Sequence, residues 1–492
     1  MKNKFIKTVF YSVLIATIFG CNEDFLDKTP TEFISVDDIA KTGELDGEVL
    51  NGTLRGIYSM MITPGTGGLN VNEDFGQKGF DIFSDLLSAD MALAANNYNR
   101  YGTFANLLAT VDYTNLANYM PWRYYYRVIR STNLVIESLG GNAAIPSTDD
   151  QAFSLGQAKA LRAYAYFYLT QYFAESYNPN ATVLPLYLNA DDPIQGQAPM
   201  SEIYNAMIAD LSSSIELLEG FTRPNKTIIN NDVAKALLAY VYSSMDTNDS
   251  YTKAMNLADE VIASGYPIMT GQEVTGGFTS IGTPGWFWGF DVTLAQGLSL
   301  TSWWGQMDHF TYSYQWAGDR KAIDQGLYDL IRAGDIRKTQ FDAANSLQPR
   351  GKFYNLGRVA GGQRNIEDDY VYMRISEMYL LSAEMASKIG QDEKAKNRLS
   401  DLLSKRFADT SNYDYIQTLS GTALQNEIYL QTRIELWGEG KSYLAMKRNK
   451  ATITRGSNHV FHAGSSYSYD SDELTWEIPR AETLNNPFID NN

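Results

Sequence analysis

Between Gln151 and Phe173 the chain places Leu155, Ala158, Leu161, Ala165, Tyr168 and Tyr172 three or four residues apart. A stripe at that spacing lies on one face of a helix, and alanines alternating with rings let a second helix approach closely. Such a helix needs partners. The chain supplies them: Glu44 to Met61, Trp122 to Leu139, Ser201 to Leu218 with Ser201 as its cap, Asp232 to Met245, Ser250 to Ser264, Arg374 to Lys388 and Asp392 to Phe407 carry the same period. Ala236, Ala239, Ala254 and Ala258 are the small contact residues of one hairpin, which Gly265 ends. Leu424 to Arg448 reads as one long helix. The expected fold is mainly α, a tetratricopeptide-like scaffold of helix pairs without a strict repeat.

The segment from Tyr266 to Asp369 breaks this pattern. It is rich in Gly and Thr and holds Trp286, Trp288, Trp303, Trp304 and Trp316, five of the eight tryptophans. We read it as a large irregular, aromatic-rich insertion that carries specificity, with minor β structure. Trp286 to Phe290 alternates as a strand with one face in the core. A loop near residue 98 has similar chemistry, with Tyr98, Arg100 and Tyr101 among asparagines. Rings with polar neighbours suit sugars, whose C–H faces stack while their hydroxyls need donors and acceptors at the rim. The 33 tyrosines favour the same partners. The candidate glycan-binding residues are therefore Tyr98, Arg100 and Tyr101 from the loop, and Trp303, Trp304, Tyr314 and Trp316 from the insertion. Trp316 and Tyr98 lead that set.

At the other extreme of the chain, Lys2, Lys4 and Lys7 precede an apolar run from Val9 to Phe19, too short to span a bilayer. Gly20 and then Cys21, the sole cysteine, follow. This predicts a lipoprotein signal peptide over 1–20, with Cys21 lipidated as the first mature residue and 21–41 as a tether. Lipidation leaves no thiol for a disulfide, a thiolate metal site or cysteine catalysis. The divisions beyond it are 42–265 for the first helical part, 266–369 for the insertion, and 370–492 for the closing helical part of the same unit. Without the signal peptide, 37 Lys and Arg face 57 Asp and Glu. So acidic a surface argues against nucleic acid and against lying flat on anionic lipid, which leaves the anchor as the membrane contact.

Catalytic and metal motifs compete poorly with this binding reading. Glu435 and Glu439 form an i,i+4 carboxylate pair, but one face of one helix cannot flank a glycosidic bond from both sides, and a salt-bridge role fits better. Gly440-Lys441-Ser442 ends like a phosphate-binding loop without the required earlier glycine. Asp246-x-Asn248-Asp249 begins like a calcium loop and has Tyr251 where glycine should stand. No cofactor, resident metal or catalytic residue is expected, although adventitious calcium stays open for so acidic a chain.

Three separated motifs resemble the SusD/RagB family of surface glycan-binding lipoproteins. Cys21-x-x-x-Phe25-Leu26-Asp27-x-x-Pro30 is similar to its N-terminal signature, Arg433-x-Glu435-Leu436-x-x-Glu439-Gly440 to its C-terminal helix signature, and Ile478-Pro479-x-x-Glu482-x-x-x-Asn486-Pro487 to its closing motif. Gln431-Thr432 and Ala445 depart from the family's usual Glu-Arg and Asp. The resemblance implies four tetratricopeptide-like units and a SusC-like TonB-dependent outer-membrane transporter to which glycans are delivered. It also implies a lipid-anchored position on the outer membrane facing the cell exterior, with Glu23 and Asp24 resembling an export signal. No family motif falls in the binding loops. Two other readings stay in view, a surface binder of peptides or another nutrient using the same transporter, and a glycoside hydrolase. Buried tryptophans in the insertion together with an open apolar helical face would favour the peptide.

Overall fold

The computed structural model describes residues 47–309, 312–355, 357 and 365–489. Cys21, the signal peptide, the tether and the N-terminal signature lie outside the described residues.

Ten longer helices carry the fold among the described residues: α1 (Gly47–Met60), α2 (Gln77–Leu87), α3 (Leu116–Ser138), α4 (Asp149–Phe173), α5 (Met200–Leu217), α6 (Asn231–Ser243), α7 (Asn248–Ala263), α8 (Ile375–Lys388), α9 (Asp392–Leu403) and α10 (Gly421–Glu435). A shorter α11 spans Ser442–Arg448. Helices α3 to α8 pack in chain order as a continuous row, and α8 packs on both α9 and α10. The starts are written in local chemistry. Asn115, Thr148 and Asn230 accept backbone N–H groups at the starts of α3, α4 and α6, and Thr247 with Ser250 forms a capping box on α7. Helix α5 differs from expectation: it starts at Met200 behind Pro199, so Ser201 falls inside its first turn and caps nothing. Met200 N–H is satisfied instead by Ala181 O at 2.8 Å.

Ala236, Ala239, Ala254 and Ala258 are fully buried at the α6–α7 contact, as their size requires. The tyrosines do not all face solvent as their number suggested. Tyr124 and Tyr125 on α3 and Tyr164, Tyr168 and Tyr172 on α4 are all buried, with Tyr125 stacked on Tyr168 at 5.6 Å. Three of these hydroxyls reach partners supplied from other elements: Tyr125 donates to Gln77 Oε1 at 2.8 Å, Ser84 Oγ lies 2.8 Å from the Tyr172 hydroxyl, and Lys441 Nζ donates to Tyr168 at 3.2 Å. A phenol can therefore fill this core where a phenylalanine at position 172 would leave the Ser84 hydroxyl without its side-chain partner.

Four antiparallel pairs complete the structure: β1 (Met91–Leu93) with β5 (Lys321–Ile323), β2 (Thr182–Pro185) with β3 (Gln197–Pro199), β4 (Trp286–Phe290) with β6 (Tyr370–Arg374), and β7 (Thr452–Thr454) with β8 (Ser466–Ser468). Strand β4 is buried on both faces rather than one. Trp288 meets Tyr164 of α4 edge-on at 5.6 Å, while Phe287 meets Tyr266 at 5.5 Å. The aromatic-rich segment is thus built into the scaffold through β4–β6 and β1–β5.

The long helix expected over Leu424 to Arg448 is two helices. α10 ends at Glu435 and α11 starts at Ser442, because Gly438 and Gly440 adopt φ of 78° and 72°. A Cβ at Gly440 would collide with the Asp81 carboxylate, and one at Gly438 with the Phe353 ring. That turn aims Glu435 and Glu439 into a buried ionic cluster. Glu435 receives Arg374 at 2.6 Å, Arg406 at 2.6 Å and Arg337 at 3.2 Å. Glu439 receives Arg374 and Lys352, each at 2.8 Å. Burial alone would raise both carboxyls, but the guanidiniums outweigh it: Glu435 titrates well below the usual range, and Arg374 with Lys352 holds Glu439 at about 2.

Candidate functional site

Strands β1 and β5 bring together two loops more than two hundred residues apart. Their ladder, with Leu93 opposite Lys321, continues through Ala94 N–H to Arg320 O at 2.7 Å and Arg320 N–H to Ala95 O at 3.0 Å. The chain beyond residue 95 must therefore run beside the chain before residue 320. Asp319, fully buried, locks the two: its carboxylate accepts Tyr98 N–H at 2.7 Å and Arg100 N–H at 3.0 Å.

On the partner side, a one-turn helix over Tyr314–Ala317 is capped by Ser313, whose hydroxyl accepts Trp316 N–H at 3.0 Å. It ends at Gly318, φ 121°, where any Cβ would strike the Asn97 side chain. The glycine is what allows the loops to touch.

The result is an open aromatic shelf. Tyr98 is 55% exposed and Trp316 43%. Tyr98 meets Tyr314 edge-on at 5.8 Å, the Arg100 guanidinium lies 4.8 Å from the Tyr314 ring centre, and Tyr312 lies 5.9 Å from Trp316. The Tyr314 hydroxyl accepts Asn72 Nδ2–H at 2.9 Å, and Thr301 donates to Asn72 Oδ1 at 2.7 Å. Beneath the shelf, burial lowers the Lys321 ammonium to about 8, against the pull of Asp319 and Glu73. Rings fixed at this spacing, with a guanidinium and an amide at their edge, can stack a neutral ring and hydrogen-bond its substituents.

Of the seven sequence-derived candidates, the fold brings Tyr98, Arg100, Tyr314 and Trp316 together. The other three are corrections. Tyr101 is 1% exposed: at φ 62° its backbone turns the ring inward onto Phe83 at 5.2 Å. Trp303 and Trp304 sit on a buried turn behind Ser302. Trp303 packs against Phe353 at 5.1 Å, and Trp304 Nε1 donates to Asp368 O at 2.8 Å. None of the three presents a ring face to a ligand. Conversely, Asp319, Asn72 and Tyr312 belong to the site and sequence reasoning did not select them. The one local hint is the pair Gly318-Asp319 directly behind Trp316.

The rival motifs have structural occupations. Glu435 and Glu439 are buried among cations, and Asp246 pairs with Lys450 and receives the Tyr251 hydroxyl. Among the described residues no group of three His, Cys, Asp or Glu side chains is placed to hold a metal ion, and no helix is long and apolar enough to cross a membrane.

Residues 65–243 match a family model described as SusD-like, starch-binding and associating with the outer membrane, and residues 315–488 match the SusD family model. The chain belongs to the SusD/RagB family. Two SusD-like proteins of Formosa agariphila are similar to it. P25 is 26% identical over 41% of this chain and 36% of its own length, and P38 is 23% identical over 76% and 79%. Among solved structures, a SusD-like carbohydrate binding protein from Bacteroides vulgatus superposes with a TM-score of 0.75 at 25% identity, over 90% of this chain and 97% of that one. The surface glycan-binding protein A of Bacteroides uniformis shares the fold, with a TM-score of 0.63 at 16% identity over 90% and 98%. The SusD/RagB assignment matches the mainly α architecture. It also places the Arg374–Glu435–Glu439 cluster within the second matched region.

Proposed function

We propose that this SusD/RagB protein binds a glycan, without catalysis, on the shelf formed by Tyr98, Arg100, Tyr314 and Trp316. The carrying observation is the exposure of Tyr98 and Trp316 at a point where Asp319 joins two distant loops. Rings exposed together, unlike apolar residues exposed singly, mark surfaces that another molecule covers. A carbohydrate-binding relative at 25% identity supports the choice of ligand. Four of the insertion's five tryptophans are buried, which the peptide reading anticipates, but the open cleft on α3 sets three arginines among its rings and apolar side chains, a mixture that suits a ring-bearing polar ligand. That tips the balance to the sugar.

In affinity electrophoresis against a panel of neutral polysaccharides, the wild-type chain is expected to be retarded by at least one. Tyr98→Ala with Trp316→Ala should weaken that binding about tenfold for each ring removed. Unchanged retardation of the double variant would remove the shelf from the binding site, and release of reducing ends from the bound polysaccharide would overturn the non-catalytic reading.

Delivery to a SusC-like TonB-dependent transporter, and a lipid anchor at Cys21 on the outward face of the outer membrane, complete the proposal. The first family model's association with the outer membrane supports the location. Cys21→Ala should move the protein from the membrane fraction to the soluble one while leaving polysaccharide retardation unchanged. Its persistence in washed membranes would rule out the anchor.

A further inference from the structure

A second cleft, of about 380 Å³, opens on α3, away from the residues of the shelf. Arg123, Arg127 and Arg130 line it from successive turns of that helix, and all three are exposed. Like charges three and four residues apart disfavour a helix, so stability does not account for them. Among the described residues none of the three forms an ion pair; Arg127 donates only to Thr66 O, at 2.9 Å. The two carboxylates facing the cleft are engaged elsewhere. Asp192 accepts Leu188 N–H at 2.7 Å and Asn189 N–H at 2.9 Å, while Glu482 accepts Trp122 Nε1–H at 3.2 Å and Asn486 Nδ2–H at 2.9 Å. Three guanidiniums without an ion pair among the described residues, two of them within electrostatic reach of Asp74, thus make a basic spot on a chain of net charge −17. Half-buried Tyr119 and Tyr126 supply ring surface beside them.

We propose that this cleft is a second saccharide site, selective for a sugar bearing a carboxylate or a sulfate. The planar fork of a guanidinium matches either oxyanion, and the rings accept the face of the sugar that carries it. The assignment rests on the glycan reading and extends it to acidic chains. The two sites share one loop. Arg123 packs on Gly68 and Arg127 holds Thr66, while Asn72 of the same loop holds the Tyr314 hydroxyl of the shelf.

The test is calorimetric titration of the intact chain with oligogalacturonate, with its carboxyl-reduced neutral counterpart, with a sulfated galactan oligosaccharide, and with inorganic sulfate. At least one acidic oligosaccharide should bind more tightly than the neutral one, and less tightly as salt is raised. Arg123→Gln with Arg130→Gln, both at exposed positions, should lose about tenfold of that affinity, whereas Tyr98→Ala with Trp316→Ala should retain the preference for acid over neutral. Which acidic probe responds separates carboxylate from sulfate. The proposal is overturned if neither acidic oligosaccharide binds, if the arginine variant binds them as the wild type does, or if inorganic sulfate binds as tightly as the sulfated sugar. Failure of the shelf reading shows separately, as an unchanged affinity of the tyrosine–tryptophan variant for neutral glycans.

Discussion

Replacing Glu435 by alanine is expected to lower stability by about 3–5 kcal/mol, the range for breaking a buried ionic network from one side. Glu435 is 1% exposed and is the shared acceptor of Arg337, Arg374 and Arg406, all buried. Its removal leaves Arg406 without a carboxylate partner, and Arg374 with Glu439 alone. The damage reaches far because those arginines come from different parts of the chain: Arg374 ends β6, Arg337 lies within the aromatic-rich segment, and Arg406 follows α9. Denaturant unfolding followed by circular dichroism measures the effect. A midpoint within about 1 kcal/mol of wild type would show that the cluster relaxes or hydrates, and that the buried charges are not mutually dependent.

Acid should weaken the protein through the same cluster. A glutamate that titrates near 4.5 in the unfolded chain and at about 2 in the folded one contributes about 3 kcal/mol at neutral pH. Because the folded value is the depressed one, that contribution is fully present above 4.5 and is lost as pH falls from 4.5 towards 2. Glu435, held well below its usual range by the three guanidiniums around it, acts in the same direction. Asp85 acts oppositely: burial pushes its carboxyl well above 3.8, so mild acid relieves a penalty there before the glutamates begin to fail. The expected profile has little change or a slight gain just above pH 4.5, then a steep fall. Unfolding midpoints from pH 7 to 2.5 would test it, and a Glu439→Gln variant should show a shallower fall. A wild-type midpoint that is flat from 4.5 to 2.5 would contradict the ion-pair account.

Much of the scaffold was legible because helix packing leaves a local trace. The alanines of α6 and α7 had to be small, whereas the N-cap read from sequence, Ser201, falls inside α5, and the caps Asn230 and Thr247 were not singled out. The break between α10 and α11 was written in Gly438 and Gly440, but apolar residues on both sides kept the helical period running through it. Aromatic residues were harder to place. Trp304 and Trp316 have similar neighbours in sequence, yet one is buried and the other open, a difference set by how the turn behind Ser302 sinks beside Asp368. Tyr98 and Tyr101 part company for a backbone reason, the positive φ at Tyr101. The number of tyrosines suggested a sugar-facing surface, whereas a phenol ladder between α3 and α4 uses many of them as core. What could not be read at all was the partnership of residue 98 with residue 319, since no local pattern encodes a pairing at that separation.

The Asp319 carboxylate under the shelf makes the Tyr98–Arg100 loop unlike an ordinary surface loop. Its amide protons on Tyr98 and Arg100 are held by an acceptor 221 and 219 residues away in the chain. Those two protons should exchange with solvent slowly, opening only when β1 and β5 part, while the side chain of Tyr98 stays in contact with water. The proposed platform would then be rigid in its backbone and wet on its face, so that a ligand docking there need not order the loop first.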